Sequence, residues 1–191
     1  MTSEPTSTHH YVFDSAIGPC GVAWNDRGLT GVQLPEKDRA TTERRLAAKA
    51  ASAGAAAPPP AIATIVADIQ RYLAGDAVDF ATVAVDLSGL DPFRQKLYET
   101  MRALPWGHTT TYGELAQQLG ATGWEGARDV GEAMGRNPVP VVIPCHRVLA
   151  AGGKLGGFSA HGGAATKAKL LALEGVQLPE KDRGAPRLPG L

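Results

Sequence analysis

The sequence predicts an α/β N-terminal domain with a small antiparallel sheet, followed by a mainly α-helical C-terminal domain with a helix-turn-helix. Between residues 11 and 34, short β-branched and aromatic runs are separated by glycines and by an Asn-Asp turn, as in an antiparallel meander. After residue 88, apolar residues recur at helical spacing instead. A capping-box sequence there begins a helix that is followed, across a glycine-containing turn, by another.

In the N-terminal domain, residues 1–88, we expect strands at residues 11–13, 21–24, 29–34 and 83–87. Thr41 or Thr42 is placed to cap a first helix, and a second helix carries apolar residues at helical spacing from Ile62 to Leu73. Residues 47–60 are low in complexity and end in three prolines, which predicts a surface linker. This domain shows no obvious chemistry, and scaffolding is its expected role.

The C-terminal domain is predicted to span residues 89–175. Its first helix carries an apolar stripe that includes Phe93 and Leu97, and the capping box at residues 111–114 starts the second. A turn at residues 120–126 and a helix over residues 127–136 complete the predicted helix-turn-helix. Many proteins that do not bind DNA also contain such a pair of helices. The nonapeptide Gly-Val-Gln-Leu-Pro-Glu-Lys-Asp-Arg occurs at 31–39 and again at 175–183, and the tail, 176–191, is predicted to be mobile.

Composition and charge narrow the class of protein. No apolar run is long enough for a membrane span and no hydrophobic signal region is present, so a soluble, cytoplasmic protein is expected. With only Cys20 and Cys145, a disulfide framework or a zinc site is not expected, and we predict no metal. The formal net charge of zero divides into −4 over residues 1–91, +3 over 92–174 and +1 over 175–191. Such a small positive charge is weak support for a polyanionic partner.

The segment 137–148 carries the strongest chemical signal. Residues 141–143 form a β-branched run between prolines, which predicts a buried strand or extended segment that stops at Pro144 and leaves Cys145 at the end of a rigid element. His146 follows directly as a candidate base for the thiol. A lone intracellular cysteine is most often a small buried hydrophobe, but the surrounding Pro-Cys-His-Arg sequence favours a nucleophile.

Three neighbouring features point to a site around Cys145. Gly131 and Gly135 lie near Arg128 on one face of the helix predicted over residues 127–136, the second of the helix-turn-helix. This nearly bare face can enter a narrow groove and insert one guanidinium. The alternative is tight helix packing, with Arg128 paired to an acidic neighbour. The glycine-rich loop 149–163 is suited to a pocket lid. Glu174 places a negative charge in the last turn of a predicted helix, where the helix macrodipole disfavours it. This unfavourable position calls for a functional explanation.

Five motifs resemble the O6-alkylguanine-DNA alkyltransferase family, also called methylated-DNA-protein-cysteine methyltransferases. They are Thr-Tyr-Gly-Glu-Leu-Ala (111–116), Ala-Arg-Asp-Val-Gly (127–131), Arg-Asn-Pro-Val-Pro (136–140), Ile-Pro-Cys-His-Arg-Val (143–148) and Leu-Leu-Ala-Leu-Glu-Gly (170–175). The resemblance is specific over residues 92–175 and holds only in outline for the N-terminal half. It implies a ribonuclease H-like N-terminal domain and a winged-helix-like C-terminal domain.

The resemblance also implies roles for residues. Cys145 would accept the alkyl group, His146 would act as its base through a bridging water, Glu174 would orient His146, and Asn137 would be the hinge between the DNA-facing helix and the reactive turn. The implied DNA contacts are Arg128, which would fill the gap left by a flipped base, together with Ala127, Gly131 and Tyr112. The implied substrate pocket consists of Tyr112, Met134, Pro140, Val148, Gly157, Phe158 and Ser159.

The implied activity is direct-reversal DNA repair, an irreversible, single-turnover transfer from O6-alkylguanine, and also from O4-alkylthymine, in duplex DNA. No cofactor is implied, the partner is double-stranded DNA carrying alkylated guanine, no membrane is involved, and a monomer is expected. Phe158, Asp129 and His161 depart from the usual family pattern, which leaves lesion preference open. Two alternatives remain: a Cys-His hydrolase or acyltransferase that turns over, and a non-catalytic binder of damaged DNA.

Overall fold

A computed structural model describes residues 6–121 and 123–179 of the chain, so most of the predicted mobile tail, from residue 180 onward, lies outside the described residues. The N-terminal domain contains the predicted antiparallel meander, formed by β1 (His9–Ser15), β2 (Gly18–Asn25) and β3 (Gly28–Gln33). A fourth strand, β4 (Gly54–Ala55), pairs in parallel with β1, giving the order β3-β2-β1-β4. The sheet is therefore mixed and not purely antiparallel.

The parallel strand β4 corrects the prediction that residues 47–60 form a surface linker. The chain leaves the first helix and extends along the outer edge of β1, where Ala56 N–H donates to the His10 carbonyl at 3.0 Å. Small residues permit this, because Gly54 adopts a φ of +157° that side chains disfavour. The segment covers a sheet edge that would otherwise present unpaired backbone groups.

Two helices pack on the sheet of the N-terminal domain, α1 (Arg39–Lys49) and α2 (Pro60–Leu73). The cap of α1 is Asp38, whose carboxylate accepts from Thr41 N–H at 2.7 Å, and not Thr41 or Thr42 as predicted. The predicted apolar face of α2 is buried along Ile62, Ile69 and Leu73.

The predicted strand at 83–87 is reduced to a single parallel bridge between Leu29 and Val85. Leu29 N–H donates to the Ala84 carbonyl at 2.9 Å, and Asp86 N–H donates to the Leu29 carbonyl at 2.8 Å. Further along β3, Val32 N–H donates to the Pro138 carbonyl at 2.9 Å. The outer edge of β3 is thus covered by the end of the N-terminal domain and by a segment of the C-terminal domain, which brings the sheet against the loop before Cys145.

The C-terminal domain is mainly helical, as predicted, with α3 (Pro92–Arg102), α4 (Tyr112–Gln118), α5 (Gly123–Gly135) and α6 (Ala164–Leu173). Short strands β5 (Thr110–Thr111) and β6 (Val148–Leu149) pair in parallel. The predicted capping box is present, since Thr111 and Glu114 bond each other's backbone N–H groups. Helix α5 begins before the predicted Ala127 because Gly126 is a buried packing residue against Ala121, not a turn glycine.

One hydrophobic core joins the two domains. Its members include Val22 and Leu29 of the sheet, Tyr72 of α2, Leu97 of α3 and Ile143 beside the reactive turn. Within the described residues, no helix combines the length and the apolar character that crossing a membrane requires. The shared core means that the sheet helps to fix the position of the segment that carries Cys145.

We predict that Gly28→Ala destabilises the protein by about 2–3 kcal/mol, because Gly28 has a φ of +139° and a Cβ there would lie 2.5 Å from the Ala84 carbonyl oxygen. Urea unfolding measures this change. Gly89→Ala is the matched control, since a Cβ at Gly89 meets nothing within 4 Å. Equal stability of the two variants would contradict the close contact between β3 and residue 84.

Candidate active site

The segment before Cys145 forms a compact turn and not the strand predicted for residues 141–143. Pro140 and Ile143 make an isolated bridge around the turn, and Val141 adopts a φ of +77° that is rare for a β-branched residue. The prolines explain this difference, since residues without an N–H cannot sustain a ladder of strand hydrogen bonds. Cys145 then begins a 3-10 turn, Cys145–Arg147, directly after Pro144.

Asn137 holds this turn in place. Its side-chain amide donates to the Ile143 carbonyl at 2.8 Å, and its carbonyl oxygen accepts from Val139 N–H at 2.9 Å. Burial raises the pKa of the Cys145 thiol, and a hydrogen bond from Asn137 opposes this effect. The residue follows α5 and contacts the reactive turn, so it lies where the predicted hinge was expected.

A buried polar cluster, Tyr72, His146, Arg147 and Glu174, lies behind Cys145. Glu174 Oε1 is 2.7 Å from His146 Nε2 and accepts from the Tyr72 hydroxyl at 2.6 Å. Arg147 donates from Nε to Glu174 Oε2 at 2.8 Å and from its terminal nitrogen to Oε1 at 2.9 Å. Gly107 N–H adds a further donor to Oε2 at 3.1 Å. The unfavourable position of Glu174 at the end of α6 is offset by these donors.

The cluster determines which nitrogen of His146 carries the proton. Because a carboxylate only accepts, the 2.7 Å contact requires Nε2–H to be the donor. Burial lowers the pKa of His146 and outweighs the opposing effect of Glu174, so the ring is neutral at neutral pH. Its Nδ1 is buried and has no hydrogen-bond partner among the described residues. Nδ1 therefore carries a lone pair that is available to accept a proton.

The electrostatics of Glu174 follow from the same contacts. Burial alone raises the pKa of its carboxyl group, but hydrogen bonds from His146, Arg147 and Tyr72 outweigh it and lower the pKa to about 2. Burial and the adjacent charge of Glu174 raise the pKa of the Tyr72 hydroxyl, which stays protonated as a donor. The cluster is thus a neutral imidazole held by an anion that is itself neutralised by Arg147.

Lys167 of α6 is buried beside the reactive turn. Its ammonium donates to the Val148 carbonyl at 2.5 Å and to the Gly157 carbonyl at 3.2 Å, and it lies 5.7 Å from the centre of the Tyr112 ring. Burial lowers its pKa to about 8. Burial also raises the pKa of the Cys145 thiol, while the hydrogen bond from Asn137 and the charge of Lys167 oppose this effect. The free thiol is therefore protonated at rest and requires a base.

A small cavity adjoins the sulfur of Cys145. The predicted pocket residues Pro140, Phe158 and Ser159 line it together with Cys145 and Asn137. The N-terminal domain supplies the opposite wall, with Val32, Gln33, Leu34 and Lys49. The cavity is only about 20 Å³, near the size that admits one water molecule. A purine cannot enter unless the loop that carries Phe158 moves.

The remaining predicted pocket residues surround this cavity without lining it. Met134 is buried in the main core, and Val148 and Gly157 contact Lys167 through their carbonyl groups. The Tyr112 ring lies beside Gly131 and Gly156, where an added Cβ would be 3.9 Å and 3.5 Å away. Burial raises the pKa of the Tyr112 phenol, and the charge of a Cys145 thiolate would raise it further.

Three of the four predicted DNA contacts lie on α5, and the fourth, Tyr112, begins α4. Ala127 and Gly131 are half-buried, and the Arg128 side chain is 61% exposed. Arg128 makes a 3.7 Å ion pair with Asp129, which was the alternative considered from the sequence, and its guanidinium also lies 5.0 Å from the centre of the Trp124 ring. Because both contacts are exposed, they hold Arg128 only weakly.

Sequence reasoning missed four contributors to the site. Arg147 belongs to the quoted Pro-Cys-His-Arg motif but was given no role. Lys167 was detectable, since it occupies the buried face of α6 three residues before Leu170. In the sequence, Tyr72 is indistinguishable from an ordinary core aromatic residue of α2. The residues of the N-terminal domain that line the cavity share no sequence pattern that could have indicated this role. No group of three or more side chains suited to a metal ion converges within residues 6–121 and 123–179.

We predict that acid weakens the contribution of Glu174 to stability. The unfolded chain protonates this carboxyl near pH 4.5, whereas the folded chain keeps it ionised down to about pH 2. The stabilisation is therefore present above pH 4.5 and is lost as the pH falls towards 2. In urea unfolding from pH 7 to pH 3, the gap between wild type and Glu174→Gln should narrow with acid. A gap that stays constant over this pH range would contradict the assignment.

We predict that Lys167→Met raises the pKa of the Cys145 thiol, because the substitution removes a positive charge that favours the thiolate. The rate of iodoacetamide labelling of Cys145 as a function of pH measures this shift. Lys169→Met is the matched control, since Lys169 is an exposed lysine of the same helix. An unchanged labelling profile for Lys167→Met would exclude electrostatic support of the thiolate.

Comparison with known proteins agrees with this architecture. Residues 8–87 match the family model of the 6-O-methylguanine DNA methyltransferase ribonuclease-like domain, and residues 92–176 match that of the DNA binding domain of the same family. A methylated-DNA–protein-cysteine methyltransferase of Mycobacterium bovis is 36% identical over 171 residues, covering 90% of this chain and 94% of the relative.

Solved structures give the same result. The crystal structure of Mycobacterium tuberculosis OGT in complex with DNA has a TM-score of 0.68 and 36% identity, covering 87% of this chain and 92% of that one. The O6-methylguanine-DNA methyltransferase of Pyrococcus kodakaraensis has a TM-score of 0.67 and 28% identity, covering 88% and 99%. The predicted ribonuclease-like and helical DNA-binding architecture is confirmed. This chain belongs to the O6-methylguanine DNA methyltransferase family, whose members repair DNA by transferring an alkyl group to a protein cysteine.

Proposed function

We propose that this chain removes the alkyl group from O6 of guanine, and from O4 of thymine, in duplex DNA and transfers it irreversibly to Cys145. The observation that carries the assignment to Cys145 is the buried Tyr72–His146–Arg147–Glu174 cluster, whose histidine follows Cys145 in the same 3-10 turn. Cys20, the other cysteine, has no such surroundings, and burial raises the pKa of its thiol to about 11. Of the two cysteines, Cys145 is the one that has a candidate base next to it in the chain and that lines a cavity.

In the proposed step, a bond forms between Cys145 Sγ and the alkyl carbon while the bond from that carbon to O6 breaks. The thiol proton passes to Nδ1 of His146, through a water molecule, and Glu174 stabilises the imidazolium that results. Tyr112 donates a hydrogen bond to N3 of the departing base, and the proton held by His146 passes through water to that base, which leaves as neutral guanine. Asn137 and Lys167 stabilise the thiolate while the bond forms. No cofactor enters this balance.

The product is a thioether, which contains no good leaving group. Water does not cleave such a bond under physiological conditions, so each molecule of protein reacts once. This is the point on which the proposal differs from a Cys-His hydrolase, whose thioester would be hydrolysed and whose cysteine would be regenerated. A non-catalytic binder of damaged DNA would leave Cys145 unchanged.

Access to Cys145 supports nucleotide flipping. Cys145 is 5% exposed and lines a recessed cavity, so a base that stays stacked within a duplex cannot reach its thiol. We propose that the flipped nucleotide enters as Phe158 and Ser159 move, and that Arg128 fills the gap in the stack. The weak contacts of Arg128 in the free protein permit this insertion. The protein is proposed to act as a monomer.

We predict that a duplex containing O6-methylguanine raises the mass of the protein by one methylene group at Cys145, to a limit of one equivalent. Intact-protein and peptide mass spectrometry after incubation with excess duplex measures this. Cys20 is an internal control and should stay unmodified, and Cys145→Ser should gain no mass. Continued demethylation beyond one equivalent would favour the hydrolase, and binding without any mass change would favour the non-catalytic binder.

A further inference from the structure

Trp124 stands out because its side chain is 70% exposed, whereas large apolar side chains in the described residues are otherwise buried or half-buried apart from Tyr11 at 37%. It lies in the first turn of α5, the helix that carries Arg128. Exposing an indole to water forgoes a large gain from burial. Its position on the Arg128 helix of the DNA binding domain makes it a candidate contact for the same ligand.

The geometry joins Trp124 to Arg128. The two residues are four positions apart, so they lie on the same side of α5, and the Arg128 guanidinium lies 5.0 Å from the centre of the indole ring. Glycines at 131 and 135 continue this side of the helix with almost no side-chain bulk. The indole and the guanidinium therefore project from a side of the helix that the two glycines leave nearly bare, with exposed Glu132 at its margin.

The charges of α5 make an apolar contact more important. The helix carries Glu125, Asp129 and Glu132 against Arg128 alone, and Arg136 just beyond it is paired with Glu132 at 2.8 Å. A surface with this balance gains little from the release of counterions when it meets phosphates. Affinity for duplex DNA at this helix must therefore come largely from shape and stacking, which an indole supplies.

We propose that Trp124 is a second DNA-contacting residue, which stacks against nucleotides beside the one whose place Arg128 takes. The proposal rests on the proposed function of Arg128. Four residues of helix advance about 6 Å along its axis, and stacked base pairs repeat every ~3.4 Å. Trp124 thus meets the duplex one to two steps from the flipped nucleotide. When the protein binds DNA, the indole loses its contact with the Arg128 guanidinium and packs against a base or sugar instead. Arg128 is then free to insert into the base stack.

The test compares the rate of Cys145 alkylation by an O6-methylguanine duplex with that by free O6-benzylguanine. We expect Trp124→Ala to slow the duplex reaction about tenfold, because a stacked base is worth more than the exposed guanidinium contact that is given up. The free-base reaction should not change, and Trp124→Phe should be intermediate. Tyr11→Ala, which removes the exposed aromatic of β1, is the matched control and should affect neither rate.

A duplex with 2-aminopurine placed one, two or five steps from the lesion locates the contact. Binding should change the fluorescence at one of the two near positions, and Trp124→Ala should abolish that change while leaving the distant position unaffected. A duplex rate within twofold of wild type would overturn the proposal, as would a faster rate, which would mean that Trp124 only restrains Arg128. Equal losses with both substrates would also overturn it, since they would indicate damage to the site.

Arg128→Ala separates this inference from the proposed function on which it rests. If Arg128→Ala slows the duplex reaction selectively and Trp124→Ala does not, only the role of Trp124 fails. If neither variant has a duplex-specific effect, α5 does not dock as proposed and both assignments fail. Trp124 and Arg128 are exposed, so both variants should retain the wild-type fold, which thermal unfolding verifies.

Discussion

The site depends on one buried carboxylate. Glu174 receives donors from α2, from the reactive turn and from the loop after α3, so that a single charge ties together segments that are distant in the sequence. A charge removed from water must be fully paired, and Arg147 supplies the counter-charge. The same contacts select the His146 tautomer. Structural order and proton transfer therefore have a common physical origin, and a change to any member of the cluster affects both.

The two domains contribute different parts of the site, which the sequence pattern of either domain alone does not reveal. The C-terminal domain supplies the thiol, the base and the helix that carries Arg128. The N-terminal domain closes the cavity from the other side and contributes Tyr72, on α2, to the polar cluster. Its role is thus wider than the scaffolding expected from the sequence. The reactive turn lies between two surfaces, one of which is rigid while the other, the glycine-rich loop, must move.

The sequence was most informative where local chemistry decides structure. The capping box at Thr111 and the apolar face of α2 were predicted correctly because each depends on neighbours in the chain. Tertiary contacts decided the rest: residues 141–143 have strand-forming side chains but form a turn clamped by Asn137. The repeated nonapeptide makes the same point, since its residues 31–33 lie in β3 whereas the identical residues 175–177 form no strand. Tyr72 and Lys167 joined the site through packing alone.

The covered edge of β3 has a consequence for how the chain folds. Val32 and Leu29 direct their backbone groups at Pro138 and Ala84, and without those partners the strand would present an open row of donors and acceptors to other chains. Because Ala84 belongs to the N-terminal domain, a domain that folds before the rest of the chain leaves the Val32 end of this edge open to intermolecular strand pairing. Completion of the reactive turn removes that hazard, so the segment that carries the nucleophile also protects the protein from aggregation.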